Sequence, residues 1–121
     1  MTISERSVGD VTILDVSGRI AIQDGADVFG NRMRDLIRRG RVRLIVNFRD
    51  VPYIDSTALG QIIRAYTSAT RKEGSLKLLQ VTPKVHQLLV ITKLLSVFDL
   101  FDEESEALRS FGSAHGTELG S

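Results

Sequence analysis

One serine in the sequence stands where its hydroxyl group could do chemistry. Ser56 lies inside the segment YIDSTALG (residues 53–60), in which a short extended stretch gives way to a helical pattern. At the start of a helix several backbone N–H groups lack intrahelical partners, so a serine there can act as the N-cap. The same groups would favour a phosphate on the hydroxyl, because the helix dipole adds positive charge. The residues alone leave capping and phosphorylation open.

Other reaction centres are not indicated by the sequence. The chain has no cysteine, and His86 and His115 stand apart from any cluster at metal-ligand spacing. It also lacks a glycine-rich phosphate loop with a lysine beside serine or threonine. The positions two residues before and after Ser56 hold Ile54 and Ala58, where a hydrolase elbow needs glycine. These observations predict no metal, no cofactor and no acyl-transfer catalysis, and an enzyme using Ser56 as nucleophile would lack a nearby base.

Turn residues and hydrophobic periodicity predict the elements that must position this serine. The chain opens as a β-hairpin around Gly9-Asp10, a dipeptide that tolerates a tight turn. Helical and strand patterns then alternate, and the apolar run over residues 42–48 predicts a central strand buried on both faces. The predicted fold class is therefore α/β, with a mostly parallel central sheet beyond the hairpin and four helices. The predicted strands cover residues 2–8, 11–17, 42–48, 76–81 and 97–101, and the helices start near residues 24, 56, 82 and 102.

The helix after Ser56 is predicted to turn an apolar stripe inward and a polar stripe outward. The inward positions are Ala58, Leu59, Ile62, Ile63 and Tyr66, and the outward ones are Gln61, Arg64, Ser68 and Arg71. Gly60 costs such a helix about 1 kcal/mol relative to alanine. Its presence indicates a close approach, either by a partner's backbone or by a neighbouring element of the same chain.

The whole chain has the composition of one globular domain. Its 121 residues are 42% hydrophobic and 26% charged, with a formal net charge of +1. This balance gives no positive field for gathering nucleic acid, and no segment reaches the ~20 apolar residues of a membrane span. Because the N-terminus lacks a signal-peptide pattern, a cytoplasmic protein is expected. A single domain is predicted over residues 1–111, followed by a flexible tail over residues 112–121.

The sequence around Ser56 resembles a known family. The run VRLIVNF (residues 42–48) with VPYIDSTALG (residues 51–60) is similar to the central strand and phosphorylation loop of the STAS domain, in particular that of bacterial anti-sigma factor antagonists. The family motif is Asp-Ser-Ser/Thr-Gly/Ala-Leu-Gly at the start of a helix. Further matches are VSGRI (residues 16–20) and FDLF (residues 98–101). The resemblance extends from about residue 3 to residue 111, in the element order predicted above.

This resemblance implies a regulatory protein rather than an enzyme. In such antagonists the serine at the position of Ser56 is phosphorylated by a partner that is both an anti-sigma factor and a serine kinase with a histidine-kinase-like ATP-binding fold. The unphosphorylated form binds that partner and releases the sigma factor, and a PP2C-type phosphatase resets the system. About two negative charges at a contact surface would obstruct docking by bulk, repulsion and desolvation. The alternative is a binding or scaffold module of the same fold, in a signalling or membrane-associated complex, that acts without phosphorylation.

The resemblance also implies which residues serve the partner. Ser56 is the expected phosphoacceptor, and Thr57 is the neighbouring hydroxyl. Many antagonists carry an acid close to this loop at the position of Ala21, whereas here Asp24 lies three residues further on. The expected docking surface comprises Asp55, Ser56, Thr57, Ala58, Leu59, Gly60, Gln61, Arg64 and Asp24.

Overall fold

The structure, a computed structural model, describes the backbone of residues 1–116 and the side chains of residues 1–111. Five strands and four helices follow one another in the order predicted from the sequence. Their bounds are β1 Thr2–Val8, β2 Val11–Ser17, α1 Ala26–Arg38, β3 Arg43–Asp50, α2 Ser56–Arg71, β4 Ser75–Leu79, α3 Pro83–Ile91, β5 Leu100–Phe101 and α4 Glu104–Gly116.

All five strands form one sheet whose spatial order, β1-β2-β3-β4-β5, is the order of the chain. β1 and β2 are antiparallel and joined at Gly9, whose φ of 62° lies in the left-handed region that the tight turn requires. β2, β3, β4 and β5 run parallel to one another. The prediction of a mostly parallel α/β sheet with β3 at its centre is therefore confirmed.

The helices cover the two faces of the sheet unequally. α1, α2 and α3 pack on one face, where Phe29 and Met33 of α1 meet Ile62 of α2 in the main core. α4 packs on the other face, where Phe111 joins a smaller cluster. The strand residues of that second cluster are Val11, Ile13, Ile45 and Leu79. Successive strand residues thus alternate between two cores, as the pleat of a sheet requires.

β3 and β4 differ from the predicted strands by one or two residues at each end, and the larger differences lie near the end of the described chain. The last strand is confined to Leu100–Phe101, because Phe98 turns into the core and stacks edge-on against Tyr66, with ring centroids 5.1 Å apart. α4 continues to Gly116, five residues beyond the predicted end of the domain at Phe111. Residues 117–121 of the predicted flexible tail lie outside the described residues, and the tail's mobility stays a prediction.

The predicted faces of α2 were wrong at two positions. Gln61 is buried, with 8% of its surface exposed, whereas Ile63 is 36% exposed. The cause is the contact with α1, because Gly30 has no side chain and leaves room for the Gln61 amide. The Gln61 oxygen accepts a hydrogen bond from Nη1 of Arg34 at 2.8 Å, which satisfies it inside the interface. Gln61 is therefore a packing residue between two helices.

Three charged side chains tie the edge strand β1 to β2 and α4. Arg6 donates hydrogen bonds to the carboxylates of Asp15 and Glu104, and Asp15 also accepts one from Asn47 at 2.9 Å. The hydrogen bond from Arg6 is the main cause that holds the pKa of Asp15 below its ordinary value, and it does the same for Glu104. The cluster is therefore held most firmly when both carboxyl groups are ionised.

The pKa directions predict how Arg6→Gln changes the acid sensitivity of the fold. A carboxyl group whose pKa is lowered by folding adds stability above its unfolded pKa of about 4, and this is lost as the pH falls through the folded pKa. We expect wild type to be more stable than Arg6→Gln at pH 7, with the difference shrinking below about pH 4. Urea unfolding at a series of pH values measures it. Arg41→Gln, at an exposed arginine, is the control, and a difference from wild type that persists at low pH would contradict the prediction.

Among residues 1–116, no helix combines the length and the apolar character needed to cross a membrane.

Candidate functional site

Ser56 lies where loops from three parallel strands meet, at the carboxyl edge of the sheet. The chain leaves β3 at Asp50 and reaches α2 through residues 51–55. The loop after β2 runs beside this connection, with Ile20 N–H donating to the Tyr53 carbonyl at 3.1 Å and Asp55 N–H donating to the Ile20 carbonyl at 3.2 Å. Parallel α/β sheets form their ligand and partner sites at this edge, because loops from neighbouring strands converge there.

The N-cap of α2 is Asp55, and Ser56 is the first residue of the helix. Asp55 Oδ1 accepts the backbone N–H of Ala58, and Oδ2 accepts the N–H of Ile22, each at 2.9 Å. The interpretation of Ser56 as the cap is therefore wrong. Asp55, one residue earlier, takes that role, because its negatively charged carboxylate also interacts favourably with the positive end of the helix dipole. The same side chain fastens the β2 loop to the start of α2.

The Ser56 side chain is left exposed and takes no part in capping. Its hydroxyl makes none of the side-chain hydrogen bonds found among residues 1–111. Thr57 and Gly60 are half-buried, and Arg64 and Asp24 are exposed, with Arg19 lying 3.7 Å from the Asp24 carboxylate. The structure thus brings a solvent-facing hydroxyl to the start of a long helix.

Three residues of the expected docking surface face the core. Ala58, Leu59 and Gln61 have exposed fractions of 0%, 4% and 8%. Ala58 and Leu59 belong to the stripe of α2 that packs on the sheet, and Gln61 packs on α1 at Gly30. A rigid partner cannot reach these side chains, so they hold the helix in place rather than contact a docked protein.

A cleft of about 300 Å³ opens beside Ser56, between the β3–α2 loop and α3. Its walls include Tyr53 and Asp55 on one side and Lys84 and Ile91 on the other. A second cleft of about 660 Å³ lies next to it and shares Tyr53 and Lys84. In this second cleft the guanidinium group of Arg19 lies 5.0 Å from the centre of the Tyr53 ring. Ser56 is thus on the rim of a double cleft.

Large apolar side chains are exposed around this serine. Ile22 is 68% exposed, Ile91 is 67% exposed and Tyr53 is 38% exposed. A cluster of solvent-exposed apolar side chains is typical of a surface that binds another protein. Sequence patterns pointed to neither Ile22 nor Ile91, because they come from a different loop and a different helix. We call Ile22, Tyr53 and Ile91 the apolar rim.

Gly60 is not required by packing within the described chain. A methyl group built on its Cα would meet only the guanidinium nitrogens of Arg64, at 3.8 and 3.9 Å, which is ordinary contact. The sequence left open whether a neighbouring element or a partner needs the space. No described element crowds this position, so packing within the described residues does not explain the glycine.

The site has the parts of a binding surface and lacks those of a catalytic centre within the described residues. Asp55 uses both oxygens to accept backbone N–H groups, so it is not placed as a base for Ser56. The described residues hold no group of three His, Cys, Asp or Glu side chains that could bind a metal ion. What the arrangement offers is an exposed hydroxyl beside a cleft whose lining includes the exposed apolar side chains of Tyr53 and Ile91.

Replacing Asp55 is predicted to lower the free energy of unfolding much more than replacing Ser56. Asp55→Ala removes both acceptors and should lower the free energy of unfolding by about 1–2 kcal/mol. Asp55→Asn keeps one acceptor oxygen and should cost about half as much. Ser56→Ala, the adjacent control, should stay within about 0.5 kcal/mol of wild type. Urea unfolding ranks the three variants, and a larger loss for Ser56→Ala than for Asp55→Ala would contradict this assignment of the cap.

The α/β domain thus presents an exposed serine at the start of α2, close to three exposed apolar side chains. The family model of the STAS domain matches residues 3–107, and the chain belongs to this family.

Named relatives agree with that membership. An anti-sigma F factor antagonist of Paenibacillus polymyxa is 27% identical over 99 residues, which cover 81% of this chain and 84% of the relative. An anti-sigma-B factor antagonist of Bacillus subtilis is 29% identical over 87 residues, or 72% of this chain and 78% of the relative.

Two solved structures share the fold. The anti-sigma factor antagonist SpoIIAA in its unphosphorylated form has a TM-score of 0.80 at 18% identity, covering 92% of this chain and 97% of that one. The Bacillus SpoIIAA in its phosphorylated form has a TM-score of 0.73 at 16% identity, covering 91% and 99%.

Proposed function

We propose that this protein is an anti-sigma factor antagonist whose partner binding is switched by phosphorylation of Ser56. The observation that carries the proposal is the exposed Ser56 hydroxyl, which Asp55 frees from capping and which lies inside the apolar rim. The names of the relatives support the class of protein, and a relative of the same fold has been solved in a phosphorylated form. The protein is then a regulator and not an enzyme, and it works in the cytoplasm, where sigma factors act.

The proposed partner is an anti-sigma factor that is also a serine kinase with an ATP-binding, histidine-kinase-like fold. Unphosphorylated protein docks on it through the apolar rim and the first turn of α2, and the sigma factor is released. The kinase then transfers the γ-phosphoryl group of ATP to Ser56, and a PP2C-type phosphatase removes it. A phosphate adds nearly two negative charges and their hydration to an apolar contact surface, which opposes docking.

The proposed docking residues are the exposed or half-buried members of the expected set. These are Asp24, Asp55, Ser56, Thr57, Gly60 and Arg64, joined by the apolar rim. Residues 1–111 are proposed to form the single STAS domain that carries this surface. The shape of the β2 loop supports a place for Asp24, because Asp55 holds Ile22 of that loop against the start of α2.

Affinity capture from extracts of the source cell tests the proposal with three baits. Wild type and Ser56→Ala should retain an ATP-binding serine kinase, and Ser56→Asp should not. Incubation of the retained kinase with ATP should add about 80 Da to wild type and to Thr57→Ala, but not to Ser56→Ala. If all three baits retain the same non-kinase proteins, the chain is a binding module that works without phosphorylation. An added phosphoryl group that persists in Ser56→Ala would remove Ser56 as the acceptor.

A further inference from the structure

Lys84 lies on the wall of the cleft that contains Ser56. It is an exposed residue in the first turn of α3 and also borders the second cleft, so it stands on the ridge between the two. The start of α3 is fixed there because the Thr82 hydroxyl donates to the Val51 carbonyl at 2.6 Å. This hydrogen bond joins α3 to the loop that leads into Ser56. The position of Lys84 relative to that loop is therefore built into the fold.

Lys84 has no salt-bridge partner among the described charged residues around the cleft. Residues 74–98 contain no Asp or Glu, so α3 and its flanking segments offer Lys84 no carboxylate. Asp55, the carboxylate of the cleft wall, already accepts two backbone N–H groups. Arg19, the other cation of the second cleft, lies 3.7 Å from Asp24 and over the Tyr53 ring. Lys84 takes part in none of the salt bridges found among residues 1–111.

We propose that Lys84 is the ion-pair partner of the phosphate on Ser56. The proposal rests on the proposed function, since it concerns the phosphorylated form of the same site. Phosphorylation joins the γ-phosphorus of ATP to Ser56 Oγ, breaks the bond to the β-phosphate oxygen of the leaving ADP and releases the hydroxyl proton to solvent. The product places a dianion in a cleft whose described lining carries one carboxylate, that of Asp55, and one ammonium group, that of Lys84.

Lys84 then has two roles in the two states. In the unphosphorylated protein its ammonium group is available to a partner that covers the cleft. In the phosphorylated protein it turns to the phosphate and offsets the repulsion between that phosphate and the Asp55 carboxylate. The modification thus withdraws a cation from the docking surface as well as adding negative charge to it. Lys84 acts by charge pairing and is a positioning residue, not a catalytic one.

The test uses the full chain with phosphoserine inserted at position 56 during translation, so no kinase is needed. Phosphorus NMR follows the second ionisation of the phosphate over a pH titration. An ion pair at a solvent-facing site should lower its pKa by about 0.2–0.7 of a pH unit relative to the Lys84→Gln protein. Lys84→Arg should restore the wild-type value, and 0.5 M NaCl, at which screening is strong, should shrink the difference. Tyr53, Asp55, Arg19 and Asp24 are unchanged in every variant.

Lys93→Gln is the matched control, since Lys93 is an exposed lysine just beyond the end of α3 and borders a different cleft. Equal phosphate pKa values in wild type and Lys84→Gln, or an equal change in Lys93→Gln, would overturn the proposal. A second readout needs no variant: the side-chain NMR signals of Lys84 should shift when residue 56 changes from serine to phosphoserine, and those of Lys93 should not. Unmoved Lys84 signals would also overturn it. Neither readout depends on kinase binding, so failure here and failure of the proposed function are separate results.

Discussion

Ile91→Asp is expected to weaken binding of the anti-sigma factor partner by at least about 30-fold. Ile91 is 67% exposed on the wall of the Ser56 cleft, where a docked partner would cover it. A carboxylate there would lose its hydration when the partner docks, and central interface positions of this kind contribute about 2 kcal/mol or more. The fold should be unaffected, because the side chain points into solvent. Calorimetric titration of the purified partner into each variant measures the Kd.

The control for this prediction is Val8→Asp. Val8 is also an exposed apolar residue, at 43%, but it lies at the hairpin turn, at the opposite end of the sheet from Ser56. The same added charge should leave the Kd within about twofold of wild type, because a charge far from the interface changes affinity little. Equal losses in Val8→Asp and Ile91→Asp would mean that total charge, and not the cleft, governs binding. An unchanged Kd in Ile91→Asp would remove α3 from the docking surface.

Gly74→Ala is expected to destabilise the fold by about 2–3 kcal/mol. A Cβ at this position would overlap the carbonyl oxygen of Val42, just before β3. That carbonyl cannot move aside freely, because it accepts the N–H of Ser75 at 2.8 Å as β4 begins. The added Cβ would overlap backbone atoms of Val42, so a change of side-chain rotamer cannot relieve the clash. Urea unfolding measures the loss.

Gly60→Ala is the matched substitution for Gly74→Ala. It adds the same methyl group in a helix interior where no described atom crowds it, so stability should rise by about 1 kcal/mol. The two variants therefore separate steric overlap from the ordinary preference of helices for alanine. Binding gives a second result: if a partner's backbone approaches Gly60, the more stable variant will bind it more weakly. Equal stability changes in the two variants would contradict the packing described at Gly74.

The order of strands and helices was predictable because it depends on local signals. Gly9-Asp10 indicates the hairpin turn by itself. The apolar run of β3 likewise predicts a buried strand without reference to the strands beside it. The faces of α2 were predicted less well, because the place of Gln61 depends on Gly30 in another helix. The periodicity of polar and apolar residues along one helix carries no information about space that a glycine leaves in another helix.

The site was predictable in its central segment and not in its surroundings. The segment YIDSTALG alone pointed to the serine, but two adjacent residues, Asp55 and Ser56, are both good N-caps. The structure decides between them because Asp55 also bonds to Ile22, a contact between separate loops. Lys84 and Ile91 reach the cleft only through the packing of α3 beside the β3–α2 loop. Tertiary contacts of this kind leave no periodic trace in the sequence.

The unequal covering of the sheet has a consequence for the growing polypeptide during translation. Strands β1 to β4 and the three helices of the larger layer precede α4 in the chain, and each strand pairs with the one made before it. Most of the sheet can therefore form while the chain is still on the ribosome. At that stage Ile13 and Ile45, on the second face of the sheet, are not yet covered by Phe111 of α4. A nascent chain at that stage exposes an apolar surface that attracts chaperones and other unfinished chains. Packing of α4 is therefore the step that covers this second face of the sheet.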